Sequence, residues 1–266
     1  MVDAGVRVFA DAQSVARALA REIAQALSAA PNLVLGLATG RTPIPLYDEL
    51  ARLHAQGRAD FRQATTFNLD EFLGVAPNDP RGYHAFMRRH LFERVNLDPT
   101  RINVLNGAAV DPLAECVRYE RAVARAGGID IQILGLGING HIGFNEPGRA
   151  LIAATHRVRL TMATRRANAA LFANRARNVP KEALSMGMAT ILRARRIVLL
   201  STGASKARCV ERMLRGRVTT RLPASFLQLH ANAEVWLDRA SASRLGVGPA
   251  KAGPHVQPSH VRGVRL

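Results

Sequence analysis

Lysine is almost missing from this chain of 266 residues: of 37 basic side chains only Lys181, Lys206 and Lys251 are lysines. The formal charge of +17 therefore rests on arginines spread along the whole sequence. A nucleic-acid groove calls for clustered basic groups interleaved with aromatic platforms. Aromatics make up only 5% here, and no recognition-helix or zinc-knuckle pattern is present, so nucleic acid is not an expected partner. A positive field still draws small phosphorylated anions. Cysteine is scarce too. Cys116 and Cys209 form neither a disulfide framework nor a metal spacing, and buried, reduced thiols are expected of them. No apolar run approaches the ~20 residues of a membrane helix. The opening MVDAGVRVFADAQ lacks a basic stretch leading into an apolar one, so no signal peptide is expected. Together these absences predict a cytoplasmic protein without a membrane partner.

What is present suits a packed core: 48% hydrophobic residues against 21% charged. Val15, Leu19, Ile23 and Leu27 recur at steps of four and predict a helix over Ser14–Leu27. Asn32–Leu37 reads as a buried strand, followed by a helix over Ile44–Leu53. Thr65–Asn68 reads as a strand and Tyr83–Val95 as a helix. Ile129–Leu136 is an apolar strand, Lys181–Leu192 helical, Ile197–Leu200 a strand, Ser205–Leu214 helical and Ala233–Leu237 a last strand. Strands alternating with helices predict an α/β fold: a doubly wound, mainly parallel sheet with helices on both faces. One domain is expected over residues 1–245. The stretch 246–266, with four glycines and three prolines in 21 residues, is expected to be a flexible tail.

Three loops follow strands directly, where such a sheet places its chemistry. In Ala38-Thr39-Gly40-Arg41-Thr42-Pro43, a glycine between hydroxyl residues precedes a proline that opens a helix. Backbone N–H groups of Gly40 to Thr42 at a helix start suit a phosphate, although any tight strand-to-helix turn uses the same residue types. A Walker A loop is excluded, because the Gly-Lys-Ser/Thr ending is missing. In Asn68-Leu69-Asp70-Glu71-Phe72, neighbouring carboxylates point to opposite sides of a strand, so one of them can face a site. Helix capping is the competing role for either. The third loop is Gly135-Leu136-Gly137-Ile138-Asn139-Gly140-His141-Ile142-Gly143-Phe144-Asn145-Glu146-Pro147. Its start satisfies GxGxxG, but Pro147 and the further glycines argue against an immediate helix. No acidic residue about 20 positions on is there to hold a ribose, which excludes a dinucleotide site. Instead Asn139, His141 and Glu146 lie close together, a set suited to acid–base work.

These loops, in this order, resemble the glucosamine-6-phosphate deaminase/isomerase family. Tyr83-His84-Ala85-Phe86-Met87, Val179 to Leu184, Gly203-Ala204-Ser205-Lys206-Ala207 and Leu227-Gln228-Leu229-His230 extend the likeness over roughly residues 30 to 240. The string Gly-His-Ile-Gly-Phe-Asn-Glu-Pro is the most specific element. The resemblance implies a Rossmann-like sheet of deaminase/isomerase type. It also implies an enzyme that converts glucosamine 6-phosphate and water to fructose 6-phosphate and ammonia. By the same likeness Asp70 is the base that moves a proton from C2 to C1, and His141 opens the sugar ring with Glu146 in support. Asn139 occupies a position that is Asp or Asn in members. Lys206 and the turn Thr39-Gly40-Arg41-Thr42 hold the phosphate. Proton transfer of this kind requires no metal or redox cofactor, so none is expected. The expected partner is a small hexosamine phosphate; a homo-oligomer is compatible with this reading.

Two positions depart from the pattern. Ala170, in Asn168-Ala169-Ala170-Leu171-Phe172, stands where the family carries an arginine that binds phosphate from a mobile lid. Arg41 stands where it carries a second glycine. Arg41, Arg165 or Arg166 are candidates to supply the missing charge, and the exchange also admits galactosamine 6-phosphate as substrate. Basic residues used for allosteric activation in some members fall on His156 and Val158, so little activation by N-acetylglucosamine 6-phosphate is expected. A 6-phosphogluconolactonase shares the Gly-His loop, but the Phe-Asn-Glu-Pro ending and the Asn-Leu-Asp-Glu segment fit the deaminase better. A sugar-phosphate sensor domain would need a DNA-binding module, for which no segment is expected before Val8.

Overall fold

Steps of about four build helices here and short apolar runs build strands. In the computed structural model, which describes residues 5–246, β1 (Val6–Phe9) leads into α1 (Ala12–Ala29). Asp11 caps that helix by accepting from the Ser14 N–H at 2.7 Å, and Val15, Leu19, Ile23 and Leu27 form its buried stripe. The chain continues through β2 (Val34–Leu37), α2 (Ile44–Ala55), β3 (Thr65–Asn68), β4 (Asp70–Phe72) and α3 (Tyr83–His90). Then come β5 (Ile102–Asn103), α4 (Pro112–Arg125), β6 (Ile131–Gly135), β7 (His156–Arg159) and α5 (Met162–Ala167). The series ends with β8 (Glu182–Ser185), α6 (Met188–Leu192), β9 (Arg196–Ser201), α7 (Ala207–Arg215) and β10 (Ala233–Asp238).

Seven strands form one parallel sheet in the order β1-β10-β9-β6-β2-β3-β5. Alternate residues of each strand feed two cores. Leu35, Leu37, Ile133, Val198 and Trp236 pack with α1, α2 and α3 on one face. Val34, Phe67, Leu134, Leu199 and Leu237 pack with α4, α6 and α7 on the other. This is the doubly wound arrangement expected of the sequence. From β2 the chain proceeds outward to β3 and β5, whereas β6, β9 and β10 build in the opposite direction. The β2/β6 boundary is therefore the switch point, outside whose carboxyl ends a ligand crevice opens. A side chain at Gly36 would collide here: a Cβ would lie 2.2 Å from Oε1 of Gln132 on the neighbouring strand.

Three readings of the sequence need correction. Lys181–Leu192 is not one helix. Glu182–Ser185 is the middle strand of a small antiparallel sheet, β4-β8-β7, and only Met188–Leu192 is helical. Lys, Glu, Ala and Leu are good helix formers, but two-sided strand pairing outweighs their propensity. The helix from Tyr83 stops at His90, with a 3-10 turn over Phe92–Arg94 in place of its expected last turn. Third, β1, β4, β5, α4, β7 and α5 stand where no element was expected. Of the tail, only Gly246 belongs to the described residues.

Candidate active site

Four adjacent strands, β3, β2, β6 and β9, send their carboxyl-end loops to the crevice. After β2, the Tyr47 hydroxyl donates to the carbonyl of Ala38 and Pro43 closes the turn before α2. Gly40 has φ +99°, a left-handed conformation natural to glycine. The N–H groups of Gly40, Arg41 and Thr42 have no acceptor among the described residues. After β9, Gly203 donates its N–H to the Asp238 carboxylate at 2.9 and 3.1 Å. That anchors the turn bearing Lys206, whose Nζ donates to the Leu136 carbonyl at 2.7 Å. Burial holds the Lys206 amine below its usual range; Cys209 opposes this and the Arg41 charge adds to it. Arg41 is exposed, yet close enough for its charge to be felt at Lys206.

After β3, Asp70 is 6% exposed and its Oδ1 has no hydrogen-bond partner. Burial first, then the charge of Glu71, push its carboxyl up to about 8. Strand geometry sends the two neighbours to opposite sides. Glu71 accepts from the N–H groups of Phe72 (2.9 Å), Tyr83 (2.9 Å) and His84 (2.8 Å) and so caps α3. The capping alternative thus holds for Glu71, and Asp70 is left free. The loop after β6 crosses directly above it: a Cβ at Gly143 would lie 3.5 Å from Asp70 Oδ2.

That loop carries the rest of the constellation. Asn139 Nδ2 donates to Glu146 Oε2 at 2.9 Å, and Asn139 Oδ1 accepts the His141 N–H at 3.2 Å. The same carboxylate oxygen faces His141 Nδ1 at 3.8 Å, and that nitrogen is buried without a partner. Burial lowers the His141 pKa, the Glu146 charge works against this, and Lys206 adds to the lowering. The imidazole lies flat on Gly137, where a Cβ would sit 2.4 Å from Nδ1. The other oxygen of Glu146 accepts from the Thr164 hydroxyl.

Asp70, Asn139, His141, Glu146 and Lys206 therefore gather at the carboxyl ends of neighbouring strands, Asp70 under Gly143 and Lys206 on the Leu136 carbonyl, and Arg41 of the turn from Thr39 to Thr42 lies on the Lys206 side. Near this turn the Tyr83 hydroxyl donates to Asn168 Oδ1 at 2.8 Å. Of the candidates for the missing charge, Arg165 is turned away. Its guanidinium donates to the carbonyls of Val179 (3.1 Å) and Arg177 (3.0 Å) and is buried. Arg166 is exposed, as is Ala170 on the turn Ala169–Phe172. Sequence reasoning missed Thr164 and gave Tyr83 no part. Tyr83 stacks on Phe144 with ring centroids 5.9 Å apart, inside the His141 loop. Neither residue belongs to a chemical motif, and only the folded proximity reveals them.

A family model for glucosamine-6-phosphate isomerases/6-phosphogluconolactonase matches residues 10–236. A glucosamine-6-phosphate deaminase of Halothermothrix orenii is 49% identical over 215 residues, 81% of this chain and 89% of that relative. A solved monomeric glucosamine-6-phosphate deaminase superposes with TM-score 0.87 at 44% identity, covering 90% of this chain and 99% of that one. A 6-phosphogluconolactonase from Trypanosoma cruzi reaches TM-score 0.72 at 18% identity, over 91% of this chain and 97% of its own, a likeness of fold alone.

Proposed function

The chain belongs to the glucosamine-6-phosphate isomerase/6-phosphogluconolactonase family, and on that footing we propose that it is a glucosamine-6-phosphate deaminase. It converts glucosamine 6-phosphate and water to fructose 6-phosphate and ammonia. The observation that carries the reading is a buried carboxylate without a partner, Asp70, beneath a loop bearing an imidazole–carboxylate pair. A lactonase would need no base above C2.

The reaction begins with a cyclic substrate held by its phosphate against Lys206 and the N–H groups of Gly40 to Thr42. Neutral His141 takes the proton of O1 and delivers it to O5, opening the ring. Glu146 faces the imidazole nitrogen on its far side and stabilises it when it is protonated, while Asn139 holds Glu146. Asp70, ionised, removes the proton from C2 of the open aldehyde. The C2 ammonium group gives a proton to O1 as the neutral enolamine forms, and the Asp70 carboxyl then returns the C2 proton to C1. The product is a ketose with an imine at C2. Water adds to that carbon and ammonia leaves.

Arg41, exposed on the turn Thr39 to Thr42 and close enough to Lys206 for its charge to act there, is the candidate for the charge that Ala170 does not supply. Residues 5–245 act as one unit, built on the seven-stranded sheet with the small antiparallel sheet β4-β8-β7 beside it. A solved deaminase that superposes on this chain is monomeric, which supports a monomer over the homo-oligomer. No helix among the described residues is long and apolar enough to cross a membrane. The free, buried thiols of Cys116 and Cys209 support a cytoplasmic location. One assay tests the activity: ammonium and ketose phosphate are followed from glucosamine and galactosamine 6-phosphates, with 6-phosphogluconolactone hydrolysis alongside. Stoichiometric ammonium and fructose 6-phosphate from the glucosamine compound are expected. Faster turnover of the galactosamine compound or of the lactone would overturn the proposal.

A further inference from the structure

The reading above leaves Thr164 unexplained. This residue is 3% exposed, lies in the segment 160–179 outside the four strand-end loops, and donates its hydroxyl to Glu146. Its own oxygen accepts from the Thr161 hydroxyl at 3.2 Å, so two threonines one turn apart form a relay ending on the carboxylate. The other carboxylate oxygen is shared between Asn139 and the approach to His141. Glu146 is thus clamped from two sides, by its own loop and by a separate element.

That element is itself seated by specific contacts. Asn168 accepts from the Tyr83 hydroxyl and donates to the Thr164 carbonyl at 2.9 Å. Phe172 meets Phe72 edge-on at 5.3 Å, and the Arg81 guanidinium lies 5.5 Å from the Phe172 ring centre. Arg165 ties the start of the segment to its end through the carbonyls of Arg177 and Val179. Phe72 and Asp70 share strand β4, so the anchor of the segment and the buried base share one backbone.

Resting on the deaminase reading, we infer that Thr164 is a positioning residue: it couples the seating of segment 160–179 to the orientation of the Glu146 carboxylate toward His141. A carboxylate with one oxygen fixed by Thr164 and the other by Asn139 cannot rotate, so the oxygen facing His141 Nδ1 stays in place while the imidazole gains and loses a proton. Among the described residues, the Thr164 side chain hydrogen-bonds only to Thr161 and Glu146, so its route to His141 runs through Glu146.

The test is a double-mutant cycle between Thr164→Val and Glu146→Gln, with Thr164→Ser as the conservative rescue. Thr164→Val should lower kcat at least tenfold with KM changed less than threefold, and Thr164→Ser should keep kcat within threefold of native. In the Glu146→Gln background, Thr164→Val should change kcat less than twofold, because the group it acts through is already altered. Thr164→Ala, which adds no methyl against the carboxylate, serves if the valine variant does not fold. Additive losses would mean that Thr164 only stabilises its segment and would overturn the inference, as would native kcat in both Thr164→Val and Thr164→Ala. Native kcat in Glu146→Gln would instead remove the assigned role of Glu146, and the inference with it.

Discussion

Asp70 and Glu71 are neighbours of the same chemical type, and their environments give them different tasks. Glu71 spends its charge on three backbone N–H groups, whereas Asp70 is buried with an oxygen unpaired and its carboxyl raised to about 8. As the proposed base it must be ionised, so kcat/KM should rise with pH and level off above about 8, measured on the native enzyme. Asp70→Asn should abolish ketose formation while substrate still binds. Stability carries a second sign. A folded pKa above the unfolded one means that the carboxyl's contribution is fully present below the unfolded value and is lost as pH rises through about 8. Asp70→Asn should therefore melt higher than native, with the gap widening by on the order of a few kcal/mol between about pH 4 and pH 9. A gap that is constant or shrinks with pH would refute the burial argument. At the phosphate end, charge-assisted bonds contribute about 1.5–3 kcal/mol each, so Lys206→Ala should raise KM by roughly tenfold or more. Arg41→Gly should also raise KM if Arg41 supplies the missing charge. An unchanged KM in that variant would direct attention to Arg166, since Arg165 is committed to backbone carbonyls.

At the scale of elements, the loop after β6 shows how glycines make room for chemistry. Gly137 sits under the His141 ring, and a Cβ there would approach within 2.4–2.5 Å of three ring atoms. Gly137→Ala should displace the imidazole and lower kcat at least tenfold, while the melting temperature changes little because the ring can swing toward the crevice. A crystal structure of the variant with His141 unmoved, or native kcat, would contradict this. The loop's composition was readable because glycine, histidine and carboxylate stand together in the chain. The β8 strand was not. Its residues suit a helix, and the decision came from β4 and β7, about 110 and 25 residues away in sequence, which pair with it on either side. The short α5 was equally silent: six residues leave too little periodicity to detect.

For the whole molecule, the positions to which the family resemblance assigns effector contacts are His156 and Val158, both on β7. His156 directs its Nδ1 at the Ala154 carbonyl at 3.0 Å, and burial lowers its pKa, so it is no fixed cation for a phosphate. Saturation by glucosamine 6-phosphate should accordingly be hyperbolic, and N-acetylglucosamine 6-phosphate should leave the curve unchanged. Cooperativity requires coupled sites and two global states. A sigmoidal curve that becomes hyperbolic on adding that effector would show a regulatory site elsewhere. Basic residues outnumber acidic ones by 17 across the chain. Added salt should therefore weaken substrate binding beyond the loss of the direct phosphate contacts, because it screens that field.

The sequence by itself determined the alternation of strands and helices, the parallel class of sheet, and the loops where the chemistry gathers. These are local properties: apolar spacing within one element, and residues of one site written within a few positions of each other. Only tertiary structure decided which of two adjacent carboxylates is buried without a partner. It likewise turned Arg165 toward backbone carbonyls, paired Glu182–Ser185 as a strand, and brought Thr164 to Glu146 across 18 residues. Each of these depends on desolvation or on a partner distant in the chain, and neither quantity exists until the sheet has closed over its two cores.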